Sequence, residues 1–242
     1  MDAAGFDQTH FNENEDRAWI LTHIGHLEAS RGRLEASEGH LKQALELFPD
    51  YHYALGELGK VRVAQKRYSE AVSLLRLRYE KAPHPEGLYE LAGALVLAGE
   101  TEQAEAFFAT FERQARAESE GPDNANRELL FYYADRASEP ESALAIAERE
   151  IARRRDVFTR DAFAWALHRS GKSAAARPEI ESALAVGIKD ARMLYHAGEI
   201  CIASGDGKSA ERYFQESLAL NPFSPVADEV REALERLEPA AF

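Results

Sequence analysis

Residues 191–224, ARMLYHAGEICIASGDGKSAERYFQESLALNPFS, carry two apolar stripes of helical period separated by a turn. Leu194, Ala197, Gly198 and Cys201 follow i, i+3, i+4, i+7 spacing and share one side of a first helix. Gly205-Asp206-Gly207 breaks the pattern, and Ala210, Phe214 and Leu218 resume it. Pro222 then stops the second helix, because proline has no amide hydrogen and its ring clashes with the preceding turn. Small residues at Gly198 and Ala210 let two antiparallel helices touch, and Phe214 fills the gap beneath them. The stretch predicts a helical hairpin.

The same punctuation recurs upstream. Gly25 precedes Pro49, Gly59 precedes Pro83 and Gly198 precedes Pro222 by one and the same interval. Ser37 and Leu41 return as Ala71 and Leu75, and Ala176, Ile180 and Leu184 return as Ala210, Phe214 and Leu218, at a shift of about 34 residues. The predicted units are 18–51, 52–84, 85–118, 124–156, 157–190 and 191–224. A polar lead-in over 1–17 precedes them, and a capping helix with a short tail over 225–242 follows.

This spacing of small residue, alanine, aromatic and proline resembles the tetratricopeptide repeat. The resemblance implies an all-α fold, a right-handed α-solenoid of about six helical hairpins closed by a C-terminal capping helix, and it covers nearly all of the chain after residue 17. Units one, two and six carry it most strongly. Unit three keeps Leu91, Ala92, Ala104 and Phe108 but has Arg116 where the proline would fall. Unit four has Phe131 at the small first-helix position and Ala147 where an aromatic is usual, a large-for-small exchange that conserves volume. Between them Ser119-Glu120-Gly121-Pro122-Asp123 inserts a turn, so the superhelix is expected to be least regular there. A single hairpin leaves apolar surface wet, so neighbours must stack. The last unit needs a lid, and Val226, Val230, Leu234 and Leu237 form its apolar side, with Asp228, Glu229, Arg231, Glu232 and Arg236 around them.

Composition narrows the functional classes. A net charge of −13 over 242 residues disfavours a phosphate-binding surface, which argues against nucleic acid as partner. Charges interrupt every hydrophobic segment before it reaches the length of a membrane span. The first seventeen residues lack the basic start and apolar core of a signal peptide. The lone Cys201 excludes an internal disulfide and fits the cytoplasm, while a periplasmic protein whose export signal has been removed fits the same facts.

Constellations that carry chemistry are sparse, which predicts no enzyme activity and no cofactor. His23 and His26 share a helix face but lack the further ligands a metal needs. Cys201 points away from His196 and Glu199 and reads as a packing residue. Arg153-Arg154-Arg155 sits near a predicted helix C-terminus among Glu148, Glu150 and Asp156, which reads as a solvated helix end.

What remains is the inner wall. In the family this chain resembles, the first helix of each hairpin lines a concave groove. That geometry brings forward Tyr89, Glu128, Tyr132, Asp161, Trp165, His168, Arg192, Tyr195 and Glu199 as a peptide-binding groove. Aromatics beside acids suit a protein or peptide ligand with basic or aromatic side chains. The competing reading has Tyr132, Trp165 and Tyr195 packing against one another between hairpins, as a large indole is usually mostly buried. The Lys and Asn clamp by which some tetratricopeptide domains hold acidic chaperone tails is missing, since the corresponding positions hold Thr22 and His26, Gly56 and Lys60, and Glu86 and Glu90. Residues 154–176 and 190–200 resemble bacterial tetratricopeptide proteins of unassigned function. The function expected is a non-catalytic protein-protein interaction scaffold. The alternatives are a structural module that self-assembles as a homo-oligomer, with Phe6 and Phe11 as candidate plugs, or the repeat part of a larger envelope-associated protein.

Overall fold

The computed structural model describes residues 13–121 and 124–237, and every regular element among them is helical. Six antiparallel pairs follow one another: α1 (Glu13–Ser30) with α2 (Leu34–Leu47), α3 (His52–Ala64) with α4 (Tyr68–Lys81), α5 (Pro85–Leu97) with α6 (Thr101–Glu118), α7 (Asn126–Phe131) with α8 (Pro140–Arg153), α9 (Val157–Arg169) with α10 (Ser173–Leu184), and α11 (Ala191–Ala203) with α12 (Gly207–Leu220). A thirteenth helix, α13 (Ala227–Leu237), packs on α12. Each second helix also packs on the first helix of the next pair, which makes the array an α-solenoid. Phe6 and Phe11 lie outside the described residues.

A residue at positive φ turns the chain in all six hairpins. Gly32, Lys66, Gly99, Ser138, Gly171 and Gly205 each adopt positive φ between the two helices of their pair. In five pairs the next amide reaches back to close the first helix: Arg33 to the Glu28 carbonyl, Arg67 to Arg62, Glu100 to Leu95, Lys172 to Leu167 and Asp206 to Cys201, all at 2.8–2.9 Å. This satisfies carbonyls that the helix end would otherwise orphan. The fourth pair departs from the rule. α7 has only six residues and runs into a π-helical turn over Tyr132–Arg136, and Glu139 closes on the Tyr133 carbonyl instead.

The close approaches anticipated from the glycines are present. A Cβ on Gly25 would stand 2.7 Å from Leu41 Cγ, one on Gly59 2.7 Å from Leu75 Cγ, and one on Gly198 2.2 Å from Phe214 Cε1. Second helices α2, α4 and α12 each stop two residues before Pro49, Pro83 and Pro222. α6 has no such proline and runs 18 residues against 14 for those three. Ser119 and Glu120, which follow it, are pinned: Asn126 Nδ2 donates to the Ser119 carbonyl at 2.9 Å and to Glu150 at 2.8 Å, and Glu120 takes Arg149 and Arg153. Phe131 and Ala147 are both buried, so the exchanged volumes remain inside the core. Buried side chains run as a chain of clusters from hairpin to hairpin, ending where Phe214 meets Val230 and Ala233 of α13.

The two ends of the array also touch. Asn221 Nδ2, after α12, donates to the Ala29 carbonyl of α1 at 3.0 Å. Gly32 abuts the same loop, where an added Cβ would meet Pro222 Cδ at 3.1 Å. Six hairpins therefore bring the last unit back to the first.

Candidate peptide-binding groove

The first helices face a common interior. Burial pushes the Tyr89 hydroxyl up to about 12, while Arg192, three hairpins further on, is close enough to draw it back. Likewise the charge of Asp190 acts on His26 of the first hairpin, whose imidazole is raised chiefly by its hydrogen bond to Glu57. Contacts α1 to α3, α7 to α9 and α9 to α11 join successive first helices directly.

One half of this wall is a continuous run of ion pairs. His26 Nδ1 meets Glu57 at 3.0 Å, Lys60 bridges Glu57 at 2.9 Å and Glu90 at 3.0 Å, and Arg78 reaches Glu90 and Glu86. Gly56 makes room for Arg78, since a Cβ there would lie 2.8 Å from Arg78 Cδ. Glu57 is held down to about 2: burial opposes this, and His26 and Lys60 outweigh it. His26, Lys60, Glu86 and Glu90 stand at the positions that correspond to the chaperone clamp; Arg78 had no sequence signal, because its partners sit on α5, and Glu57 had only its i, i+3 spacing to Lys60 on α3.

Beside this run lies Glu128 on α7. Among the described residues it has no ion-pair partner, and burial first, then the charge of Glu86, raises its carboxyl above the ordinary range. Tyr89 packs on Phe108 and Phe111 at 6.0 and 5.1 Å, and Tyr132 on the same two rings at 5.7 and 5.8 Å. Arg192 lies over the Phe131 ring. Further along, Tyr195 is half-buried and Glu199 pairs with Arg236 of α13 at 3.3 Å. His168 is half-buried, bonded to Ser173 at 3.0 Å, and burial holds its imidazole down to about 4.

Two of the nine expected groove residues are not accessible. Trp165 is 4% exposed and Asp161 1%. The indole is stacked on His196 at 4.2 Å, donates to Asp135 at 2.9 Å, and has Arg169 over its face. Asp161 accepts from His196 at 2.7 Å in a pair closed to solvent. Both therefore stand behind the wall and hold α9 against α11. Trp165 thus packs between hairpins, and Asp161, expected on the groove surface, is instead closed off by its pair with His196. The other seven, Tyr89, Glu128, Tyr132, His168, Arg192, Tyr195 and Glu199, are half-buried.

Elsewhere the histidines of α1 have local partners, His26 on Glu57 and His23 on the Trp19 carbonyl. Arg153 and Arg154, at the end of α8, pair with Glu150. Cys201 is buried, and burial raises its thiol. A cavity of about 200 Å³ between α7, α8 and α9 shares none of the nine residues; Arg127 there lies over the Phe131 and Phe158 rings. Among the described residues no helix is long and apolar enough to cross a membrane.

Helical hairpins of this length, with glycine against leucine or phenylalanine inside the first, second and sixth pairs and a polar lid at the end, define a helical-repeat solenoid. The tetratricopeptide repeat family matches residues 24–84 and 162–225, more than half of the sequence, and the chain belongs to that family. Solved structures show the same fold. A tetratricopeptide repeat protein from Parabacteroides merdae is similar over 92% of this chain and 84% of its own, with a TM-score of 0.61 and 16% identity. PilW, a type IV pilus biogenesis factor, is similar over 88% of this chain and 98% of its own, with a TM-score of 0.51 and 18% identity. A chain of the APC/C hetero-tetramer Cut9-Hcn1 is similar over 94% of this chain and 45% of its own, with a TM-score of 0.54 and 14% identity. No functionally curated protein matches the sequence. Tetratricopeptide repeats are generally non-catalytic protein-interaction scaffolds.

Proposed function

We propose that this chain is a non-catalytic scaffold whose inner wall holds a peptide segment carrying a basic side chain next to an apolar or aromatic one. The carrying observation is Glu128. The other glutamates of the wall, Glu86, Glu90 and Glu199, are already matched by Arg78, Lys60 and Arg236, whereas Glu128 has no such partner among the described residues. Arg127 and Lys60 act on it only from a distance; a half-buried carboxylate without a direct ion pair is costly, and a ligand lysine or arginine placed there relieves that cost. Tyr89 and Tyr132, half-buried on Phe111 and Phe108, stand on the same wall to meet the neighbouring side chain with what they leave open.

The test titrates basic peptides, selected from a random library, against the folded protein at two salt concentrations. Glu128→Gln keeps shape and removes charge, so affinity falls by about 1.5 kcal/mol or more and its salt dependence flattens. Stability of the same variant holds or rises, because the carboxylate it replaces was disfavoured by burial. Full affinity in a folded Glu128→Gln protein rejects the assignment. Trp165→Ala behaves differently. It lowers stability by about 3 to 5 kcal/mol, and the affinity of the fraction that remains folded is unchanged.

A further inference from the structure

α1 is apolar on two opposite faces. Ala18, Thr22 and Gly25 are buried against the rest of the first two hairpins. At about 100° per residue, Ile20, His23, Ile24 and Leu27 fall on the other side. There Ile20 is 50% exposed, Ile24 36% and Leu27 53%, with Trp19 at 51% beside them. In a solenoid this is the face on which a preceding hairpin would pack, and no described element of this chain covers it. The contact with Asn221 uses the Ala29 carbonyl and the Gly32 turn on the buried side, so it leaves this stripe open.

The order of residues along the stripe says what fits. Asp16 stands at its start, Ile20 and Leu27 lie symmetrically about His23 and Ile24, and Arg31 follows in the turn just after the helix. Turned by a two-fold axis through the middle of the helix, the sequence meets itself with Ile20 against Leu27 and Asp16 against Arg31. That is the self-complementarity an isologous interface requires, with an apolar centre and a charged rim. We propose that α1 is a homodimer interface, in which the α1 helices of two copies pack antiparallel through Ile20, Ile24 and Leu27. The inference is independent of the peptide groove, since His26 and the ion pairs lie on a different side of α1.

Sedimentation of the full chain across the micromolar range tests it, with thermal melts as the folding control because all substituted side chains are exposed. The expected result is a concentration-dependent dimer whose dissociation constant rises at least tenfold in Ile20→Glu. Asp16→Arg and Arg31→Asp each weaken the dimer, and the double exchange restores it, which reads the antiparallel register directly. A monomer at every concentration overturns the proposal, including the case where residues 1–12 of the same chain cover the stripe. So does a dimer that Ile20→Glu leaves intact, which would place the interface elsewhere. Loss in both single charge variants without recovery in the double exchange rejects the antiparallel pairing.

Discussion

At the scale of single residues, the fold rests on small positions facing large ones, and this was legible because such positions recur. Gly198 cannot take a methyl group without moving Phe214, a ring with no exposed surface. Gly198→Ala therefore costs about 1 to 3 kcal/mol through overpacking. Gly39→Ala, in α2, meets nothing within 4 Å and gains about 0.5 to 1 kcal/mol from helix propensity. Denaturant midpoints that move in the same direction in both variants would contradict the packing account. The buried polar pairs were not legible. Asp161 and His196 occupy neighbouring first helices, and a pattern that marks which side of a helix turns inward does not say which polar groups will find each other there. One of their neighbours sets a pH dependence. His168 takes its proton near pH 6.5 in the unfolded chain and only near 4 when folded, since burial, Arg169 and His196 all oppose the charge. Between those values the unfolded chain holds more protons, so stability is complete above pH 6.5 and falls as pH drops toward 4. His52 is shifted in the same direction by burial and adds to the slope. His168→Gln flattens the slope, which thermal melts at pH 7 and pH 5 measure; an unaltered difference assigns the dependence to other groups.

At the scale of elements, the stops of α2, α4 and α12 lie beside prolines that the sequence marks, whereas α1 starts at Glu13, inside the polar stretch 1–17 expected as a lead-in, because polar residues at a helix start carry no apolar period. Lys66 and Ser138 occupy the turn position that glycine takes in the other four hairpins, and nothing in their side chains announces positive φ. The π-helical turn after α7 was equally silent, although the insertion before it and the large Phe131 pointed to irregularity in that hairpin. The left-handed conformation costs a side-chain-bearing residue about 1 to 2 kcal/mol. Lys66→Gly relieves that cost at the expense of a more flexible unfolded chain, for a net gain of about 0.5 to 1 kcal/mol by chemical denaturation. A loss would show that the Lys66 side chain contributes more than its backbone conformation costs. The cap behaves in the opposite sense. Val230 is fully buried on the α12 side of α13, beside Phe214. Val230→Asp places a charge where no counter-charge waits, so α13 detaches and amides of α12 exchange faster, while those of α4 are unaffected.

For the whole molecule, stacking of neighbours alone would make stability a sum of local terms, with no unit sensing another beyond the next. The contact between Asn221 and Ala29 departs from that picture, because it joins the last hairpin to the first. Repeat spacing carries no information about such a contact: it depends on how much each hairpin rotates relative to the one before, a sum of small packing angles over the array. The side chain of Asn221 has two tasks, and one substitution separates them. Its Oδ1 accepts from the Phe223 amide at 3.0 Å, and its Nδ2 donates to the Ala29 carbonyl. Asn221→Asp keeps the acceptor for Phe223 and removes the donor for Ala29. In a solenoid with independent ends, that change would be felt only in α12 and α13. With the ends joined, Asn221→Asp leaves the Ala29 carbonyl facing a carboxylate, costs about 1 to 3 kcal/mol and loosens the first turn. Hydrogen exchange then accelerates at the Gly32 and Arg33 amides, which close that turn on Ala29 and Glu28, and the radius of gyration from small-angle scattering increases. Unchanged exchange at Gly32 and Arg33, with the loss confined to the last hairpin, would mean that the two ends lie side by side without holding each other.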